Sequence, residues 1–142
     1  MKKKFLIVVL TLVLSLTGAS SAFAYDGWAD SKQTAYQFQF PVLGVSIVLN
    51  SATDVDWYSY TNNTGSPHGL SAKLQSPPGL IYDFAMIVGG STSYFSSDTP
   101  GGWVKVTIAG NIAPGETVYF QVRGHTYSQF STTAPYNFTI TT

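Results

Sequence analysis

Residues 117–123 read TVYFQVR, and this stretch indicates the fold more clearly than any other part of the chain. Its side chains fall into two alternating sets. The first is Val118, Phe120 and Val122, and the second is Tyr119, Gln121 and Arg123. Because successive side chains of a β-strand point to opposite faces, we expect the first set to be buried and the second to face solvent. That is the pattern of a half-buried strand in an antiparallel sheet.

Short runs of this kind recur along the chain, and none of them has apolar residues at helical spacing. The predicted strands are 36–40, 45–49, 55–61, 70–74, 82–88, 104–108, 117–123 and 136–141. Segments rich in Gly, Pro, Asn and Ser separate them, as at 62–67, 76–79 and 113–116, and these residue types form turns. About eight strands at this spacing predict an all-β fold, an antiparallel two-sheet β-sandwich that is jelly-roll-like.

The first 24 residues are organised like a secretory signal peptide. Lysines at positions 2–4 precede an apolar stretch over 5–16, and small residues lead up to Ala22 and Ala24. This order predicts cleavage after Ala24. A membrane anchor is the alternative, but the apolar stretch is shorter than the roughly 20 residues that span a bilayer. We therefore expect a secreted, extracellular protein with one domain, residues 25–142, and no membrane contact after cleavage.

Charge and cysteine content exclude several classes of function. Three of the seven basic residues lie in the predicted signal peptide. Four therefore remain against seven acidic residues, and the predicted mature chain has a net charge of −3. Four scattered cations do not form the basic surface that nucleic acid requires. The chain has no cysteine, which excludes thiol catalysis and cysteine-ligated metals. An exported domain of this length can be stable without disulfides.

No motif points to catalysis. The chain lacks both HExxH and GxSxG, which mark zinc and serine hydrolases. His68 and His125 fall in or beside predicted turns, where a lone histidine is usually a solvated side chain. Hydrolysis by paired carboxylates would have to use Asp54 and Asp56, whose spacing puts both on one face of a strand. We expect no enzymatic activity, and a small hydrolase is the least favoured alternative.

Asp54 and Asp56 are also candidate calcium ligands. They begin the run DVDWYSY at 54–60, and oxygen ligands from short acidic turns are typical of calcium sites. Asp26 and Asp30 could supply further ligands if the N-terminal segment folds back onto this strand. The alternative is structural, since an aspartate at a strand start often caps the preceding turn through backbone amides.

Four segments of the chain resemble the bacterial pre-peptidase C-terminal (PPC) domain family. Residues 54–60 are similar to its DxDWYSF signature, and 82–88, YDFAMIV, to its DYDLxLY strand. Residues 114–122, PGETVYFQV, are similar to its PGxYYIxV strand, and 135–140, PYNFTI, to its closing PYxLxV. The order and spacing of the four segments also agree, and they cover nearly the whole mature chain.

The resemblance implies a jelly-roll-like β-sandwich of the kind appended to secreted proteases and other exported hydrolases. Related collagen-binding domains of bacterial collagenases bind fibrous substrate and take calcium near their N-terminal segment. Carried over to this chain, Asp54 and Asp56 occupy the acidic positions of the signature. The chain departs from the family pattern in its short acidic N-terminal extension, which has only Asp26 and Asp30, and in the lack of a preceding catalytic domain. We expect a stand-alone module.

Aromatic residues are the second candidate for function. Several belong on strand faces that we expect to form the core, namely Phe38, Phe40, Tyr58, Phe120 and Phe138. Others fall in loops or at strand edges, and these are the candidate ligand-binding residues: Tyr94, Trp103, Tyr119, Tyr127 and Phe130. Exposed aromatic rings offer sugar rings or polypeptides a flat contact surface. The alternative is that the loops pack these rings over the ends of the sandwich.

Three functions remain open on the sequence. The favoured one is a secreted, non-catalytic binding module for an extracellular polymer, either a protein fibre or a polysaccharide. The second is an accessory protein that acts in trans on a secreted peptidase as a stabiliser, chaperone or inhibitor. The third is a small hydrolase that uses Asp54 and Asp56.

Overall fold

Nine β-strands and one short 3-10 helix make up the regular structure of residues 28–39 and 43–142, the part of the chain that this computed structural model describes. The helix is Lys32–Thr34. The strands are β1 (Tyr36–Phe38), β2 (Gly44–Ile47), β3 (Val55–Thr61), β4 (His68–Gln75), β5 (Tyr82–Val88), β6 (Ser91–Ser96), β7 (Trp103–Ile112), β8 (Thr117–Gly124) and β9 (Tyr136–Thr141). The predicted signal peptide, Asp26 and Phe40 lie outside the described residues.

The strands form two sheets that pack face to face. One sheet has five strands in the order β1-β3-β8-β5-β6, and the other has four in the order β2-β9-β4-β7. All neighbours are antiparallel except β1 and β3, which are parallel. Strands β2–β9 are therefore arranged in jelly-roll order, in which consecutive strands change sheet except at the β5–β6 hairpin, and β1 extends one sheet. This confirms the predicted all-β sandwich.

The core between the sheets is built from aromatic rings. The ring of Phe138 on β9 lies 5.0 Å from that of Tyr58 and 5.3 Å from that of Phe120, measured between centres. Phe38 and Phe84 complete the group around it, at 6.0 Å and 5.8 Å. All five side chains are buried. Burial of such large apolar surfaces is the dominant favourable term in folding, and it holds the two sheets together.

The predicted alternation on β8 and β9 is confirmed. Val118, Phe120 and Val122 are fully buried, as are Tyr136 and Phe138, while the residues between them face outward. The predicted bounds of three strands agree with the structure, namely β3, β5 and β9. The predictions for β4 and β7 were too short, because β4 begins with His68 and Gly69 and β7 continues through Gly110 and Asn111, residue types that are typical of turns. No helix among the described residues is long and apolar enough to cross a membrane.

Strand β6 is the one that sequence analysis missed, because its sequence STSYFS is mostly polar and exposed. It lies at the edge of the five-stranded sheet, where only one face is covered. A two-residue turn, Gly89 and Gly90, joins it to β5 and pairs Val88 with Ser91. Both glycines have positive φ, 55° and 83°, as tight hairpin turns require. The turn thus places Tyr94 on the sheet rather than in a loop.

Candidate functional site

Aromatic side chains share the outer face of the five-stranded sheet. Trp57 of β3 lies opposite Gln121 of β8, Gln121 opposite Ala85 of β5, and Ala85 opposite Tyr94 of β6. These four residues form one row across the strands. Because neighbouring strands lie about 4.8 Å apart, the row spans about 14 Å from β3 to β6. Tyr94 is 64% exposed and Trp57 is partly exposed.

The adjacent row adds a third ring to this surface. Tyr119 lies opposite Ser59 on one side and Ile87 on the other. It is two residues from Gln121 on β8, so both point outward, as the sequence predicted for Tyr119. We call Trp57, Tyr94, Tyr119 and the two cations described next the aromatic face.

Two cations of the aromatic face lie against its tyrosine rings. The ammonium nitrogen of Lys32 is 4.4 Å from the centre of the Tyr119 ring. The guanidinium carbon of Arg123 is 5.5 Å from the centre of the Tyr94 ring. Both distances are within the range of cation–π attraction. The contacts orient the rings and place N–H donors beside them, so the face can offer both stacking and hydrogen bonds.

Trp57 is the functional candidate that sequence analysis passed over. It lies between the buried residues Asp56 and Tyr58, and the run around it was interpreted as an acidic motif. Strand periodicity could have found it, since the inward position of Tyr58 puts Trp57 on the outer face. Its backbone N–H donates to the carbonyl of Ala29 at 2.7 Å, which fixes the N-terminal segment along β3.

The other predicted ligand-binding aromatics lie elsewhere. Trp103 begins β7 and is 57% exposed on the outer face of the four-stranded sheet, where the ammonium of Lys73 lies 4.7 Å from its ring centre. Tyr127 and Phe130 lie in the β8–β9 connection and are 78% and 37% exposed. The five predicted residues therefore belong to three separate regions. Tyr94 and Tyr119 share one sheet face, Tyr127 and Phe130 share the β8–β9 connection, and Trp103 lies on the other sheet.

Tyr127 borders a cleft of about 370 Å³ where β3 begins and β8 ends. The cleft is lined by residues 52–55 and 123–127. His125 contributes to it, and its Nδ1 lies 2.9 Å from Oδ1 of Asp83. His68, by contrast, begins β4 and has both ring nitrogens engaged, by Tyr60 at 3.0 Å and Thr64 at 3.2 Å. His68 is therefore not the solvated loop residue that the sequence predicted.

Asp54 directly precedes β3 and Asp56 lies on the inner face of that strand, and both are buried. Oδ2 of Asp54 accepts a hydrogen bond from the backbone N–H of Asn50 at 2.6 Å. This is the capping arrangement that was one of the two sequence interpretations. Asp56 reaches further into the sandwich, where its Oδ2 accepts a hydrogen bond from the hydroxyl of Tyr136.

A chain of hydrogen bonds links Asp56 to the aromatic core. The hydroxyl of Tyr136 also contacts that of Tyr58. Because Tyr136 donates its only proton to Asp56, Tyr58 donates to Tyr136. Burial raises the pKa of both tyrosines well above 10, so both stay protonated as donors. Oδ1 of Asp56 is buried and has no partner among the described residues.

The environment of Asp56 raises its pKa to about 7. Removal of the carboxyl from water is the main cause, and the hydrogen bond from Tyr136 opposes it. The charges of Asp54 and Asp30 raise the pKa further. An enclosed carboxyl of this kind has no access to a substrate, so the geometry does not support hydrolysis by Asp54 and Asp56.

The acidic residues do not form a complete ligand set for a metal within the described part of the chain. No group of three or more His, Cys, Asp or Glu side chains is close enough there to hold an ion. Asp30 is exposed, and Asp26 lies outside the described residues. Among the described residues, Oδ1 of Asp56 is a buried oxygen without a hydrogen-bond partner, and a cation would satisfy it.

The described fold is similar to two solved structures. The first is the pre-peptidase C-terminal domain of a collagenase from Bacillus anthracis, with a TM-score of 0.55 and 14% identity over 75% of this chain and 94% of that one. The second is CorA of Methylomicrobium album BG8, a surface-associated copper-binding protein, with a TM-score of 0.52 and 8% identity over 75% and 96%. The fold is PPC-like.

At these identities the similarity is one of fold. No protein-family model matches the chain, and no curated protein matches it significantly in sequence. The resemblance in four short segments therefore predicted the architecture, and membership of the PPC family stays a prediction.

Proposed function

We propose that this chain is a non-catalytic binding module that holds an extracellular polymer, in the first instance a polysaccharide, on its aromatic face. The observation that carries the proposal is the alignment of Trp57, Tyr94 and Tyr119 on one outer sheet face. Rings on neighbouring strands form a broad platform, and a rigid sheet holds them in place before the ligand binds. Binding then costs little conformational entropy.

The chemistry of the face suits sugar rings better than a smooth apolar partner. Lys32, Arg123 and Gln121 place N–H donors beside the aromatic rings. A sugar presents an apolar ring face together with hydroxyls at its edge, and both find partners here.

Secretion is part of the same proposal. The predicted signal peptide would export the chain, and one of the two similar structures is a surface-associated protein. The stand-alone domain 25–142 would then meet its polymer outside the cell. N-terminal sequencing of the exported protein would begin at Tyr25 if cleavage follows Ala24.

Calcium at Asp54 and Asp56 is a separate proposal for the inner side of the same sheet. The unpartnered Oδ1 of Asp56 supports it. An ion bound there would take carboxylate oxygens from Asp54 and Asp56 and would contribute stability rather than chemistry. It would lie across the sheet from the aromatic face, so polymer binding does not depend on it.

A pull-down of the mature chain on insoluble cellulose, chitin, peptidoglycan and collagen tests the main proposal. We expect retention on at least one polysaccharide, and we expect Tyr94→Ala and Tyr119→Ala each to weaken it about tenfold, as central aromatic contacts do. Tyr127→Ala is the matched control, because Tyr127 is also an exposed tyrosine but lies away from the aromatic face.

Several results would contradict the proposal. These are retention on collagen alone, retention on none of the four polymers, and a loss that occurs with Tyr127→Ala but not with Tyr94→Ala. Co-purification with a secreted peptidase, without polymer binding, would favour the accessory role instead.

A further inference from the structure

A shallow groove of about 300 Å³ crosses the outer face of the four-stranded sheet, on the opposite side of the sandwich from the aromatic face. Strands β9, β4 and β7 contribute its lining: Ser71, Lys73, Trp103, Lys105, Thr139 and Thr141. The groove thus combines two ammonium groups, one indole and three hydroxyls. No acidic residue of the described chain lines it.

Lys73 and Lys105 lie directly opposite each other on β4 and β7. Like charges in this position repel and destabilise a sheet. No ion pair joins either lysine to a carboxylate within the described part of the chain. Half of the four basic residues of a mature chain with net charge −3 therefore meet in one groove.

Protection of a sheet edge explains only one of these lysines. Strand β7 is an edge strand, where lysine discourages pairing with another molecule. Strand β4 lies between β9 and β7, so Lys73 protects no edge. The juxtaposition of the two charges needs a further cause, and an anion bound between them would remove the repulsion.

Trp103 indicates the kind of molecule to which that anionic group belongs. Its ring lies diagonally across from Lys73, with the ammonium 4.7 Å from the ring centre, and more than half of its surface is exposed. The hydroxyls of Ser71, Thr139 and Thr141 line the floor beside it. A flat ring, a row of hydroxyls and two cations together match a sugar that bears an acidic group.

We propose that this groove is a second binding site, and that it takes an anionic polysaccharide. Trp103 would stack on a sugar ring, while Lys73 and Lys105 would bind its carboxylate or sulfate. This site is independent of the aromatic face, because different strands and different residues form it.

Affinity electrophoresis of the mature chain in gels that contain polygalacturonate, dextran sulfate or neutral dextran tests this proposal. We expect retardation by at least one acidic polymer and none by neutral dextran, and the two acidic gels distinguish a carboxylate from a sulfate ligand. Lys73→Gln, Lys105→Gln and Trp103→Ala should each weaken binding on the order of tenfold. Lys73→Arg, which keeps the charge, should retain it.

Thr132→Glu is the matched control, because it lowers the net charge by one, as Lys73→Gln does, at an exposed position in the β8–β9 connection outside both binding surfaces. It and Tyr127→Ala should leave acidic-polymer binding unchanged. Thermal unfolding checks that each variant is folded.

The proposal is overturned if neither acidic polymer retards the chain, or if Thr132→Glu weakens binding as much as Lys73→Gln. It is also overturned if Trp103→Ala binds like wild type, since the ligand would then be held by charge alone. Tighter binding to DNA or to phosphatidylserine vesicles than to both polymers would replace it with a different partner.

Discussion

Asp56 shows how a single residue can make the stability of this sandwich depend on pH. Its pKa is about 7 in the folded protein against 3.8 for an ordinary aspartate. Between these values the folded protein holds a proton that the unfolded chain has released. The stabilisation from this proton is therefore complete below pH 3.8 and is lost as the pH rises through about 7.

We expect Asp56→Asn to remove this dependence, because asparagine cannot ionise but still offers Tyr136 an acceptor. In EDTA, the free energy of unfolding of wild type should fall by about 4 kcal/mol relative to that of the variant as the pH rises from 4 to 8. Urea unfolding across this range measures the difference. Asp98→Asn, at an exposed position, controls for the loss of one carboxylate. Parallel profiles for wild type and Asp56→Asn would show that Asp56 is ionised in the folded state.

Asp54 tests the cap and the calcium site together. Loss of the acceptor for the N–H of Asn50 should make Asp54→Ala about 2 kcal/mol less stable than wild type in EDTA. If calcium binds at Asp54 and Asp56, wild type should gain about 2.7 kcal/mol at a hundredfold excess over the dissociation constant, and the variant should not. Thermal unfolding in millimolar calcium and in EDTA measures both effects. An identical wild-type midpoint in the two buffers would leave Asp54 as a cap only.

At the scale of single elements, the β5–β6 hairpin determines whether Tyr94 lies on the aromatic face. Its turn needs positive φ at Gly90, 83°. We expect Gly90→Val to lower the free energy of unfolding by about 1–2 kcal/mol. At positive φ the β-carbon of a side chain comes too close to the backbone carbonyl oxygen that follows it. Gly90→Asn should cost less, since asparagine tolerates positive φ. Chemical unfolding measures both, and equal losses would argue against a conformational cause.

Elements with strong alternation could be predicted from the sequence, and those with weak alternation could not. Strands β8 and β9 each have a buried face made of apolar side chains, so apolar residues mark every second position. Strand β6 buries almost nothing, and its residues resemble a loop. Tyr94 was therefore expected in a loop or at a strand edge, whereas it lies within β6. The turn chemistry at Gly89 and Gly90 was visible, but the polar strand after it was not.

At the scale of the whole molecule, strand pairing decides which side chains meet, and pairing is what the sequence did not reveal. Trp57 and Tyr94 share a row because β3 pairs with β8, β8 with β5, and β5 with β6. Lys73 and Lys105 meet because β4 pairs with β7. These partners are distant in sequence, and alternation within a strand gives the face but not the neighbour. The separation of Trp103 from Tyr94 onto opposite faces has the same cause.

The same topology gives the molecule two outer faces of different chemistry on a shared aromatic core. One face has three aromatic rings on β3, β8 and β6, and the other has a groove with two lysines and one indole. If both proposed sites bind polymer, two linked sites would bind more tightly than either site alone.

The most direct test of the central claim locates the ligand on the molecule. The ¹⁵N-labelled mature chain would be titrated with a soluble oligomer of the polysaccharide that retains it, and amide shifts would be followed by NMR. We predict that the largest shifts lie on the outer rows of the five-stranded sheet, at Trp57, Tyr94, Tyr119 and Gln121. Shifts confined to the cleft around Tyr127, or to the groove around Trp103, would contradict the assignment of the aromatic face as the polymer-binding surface.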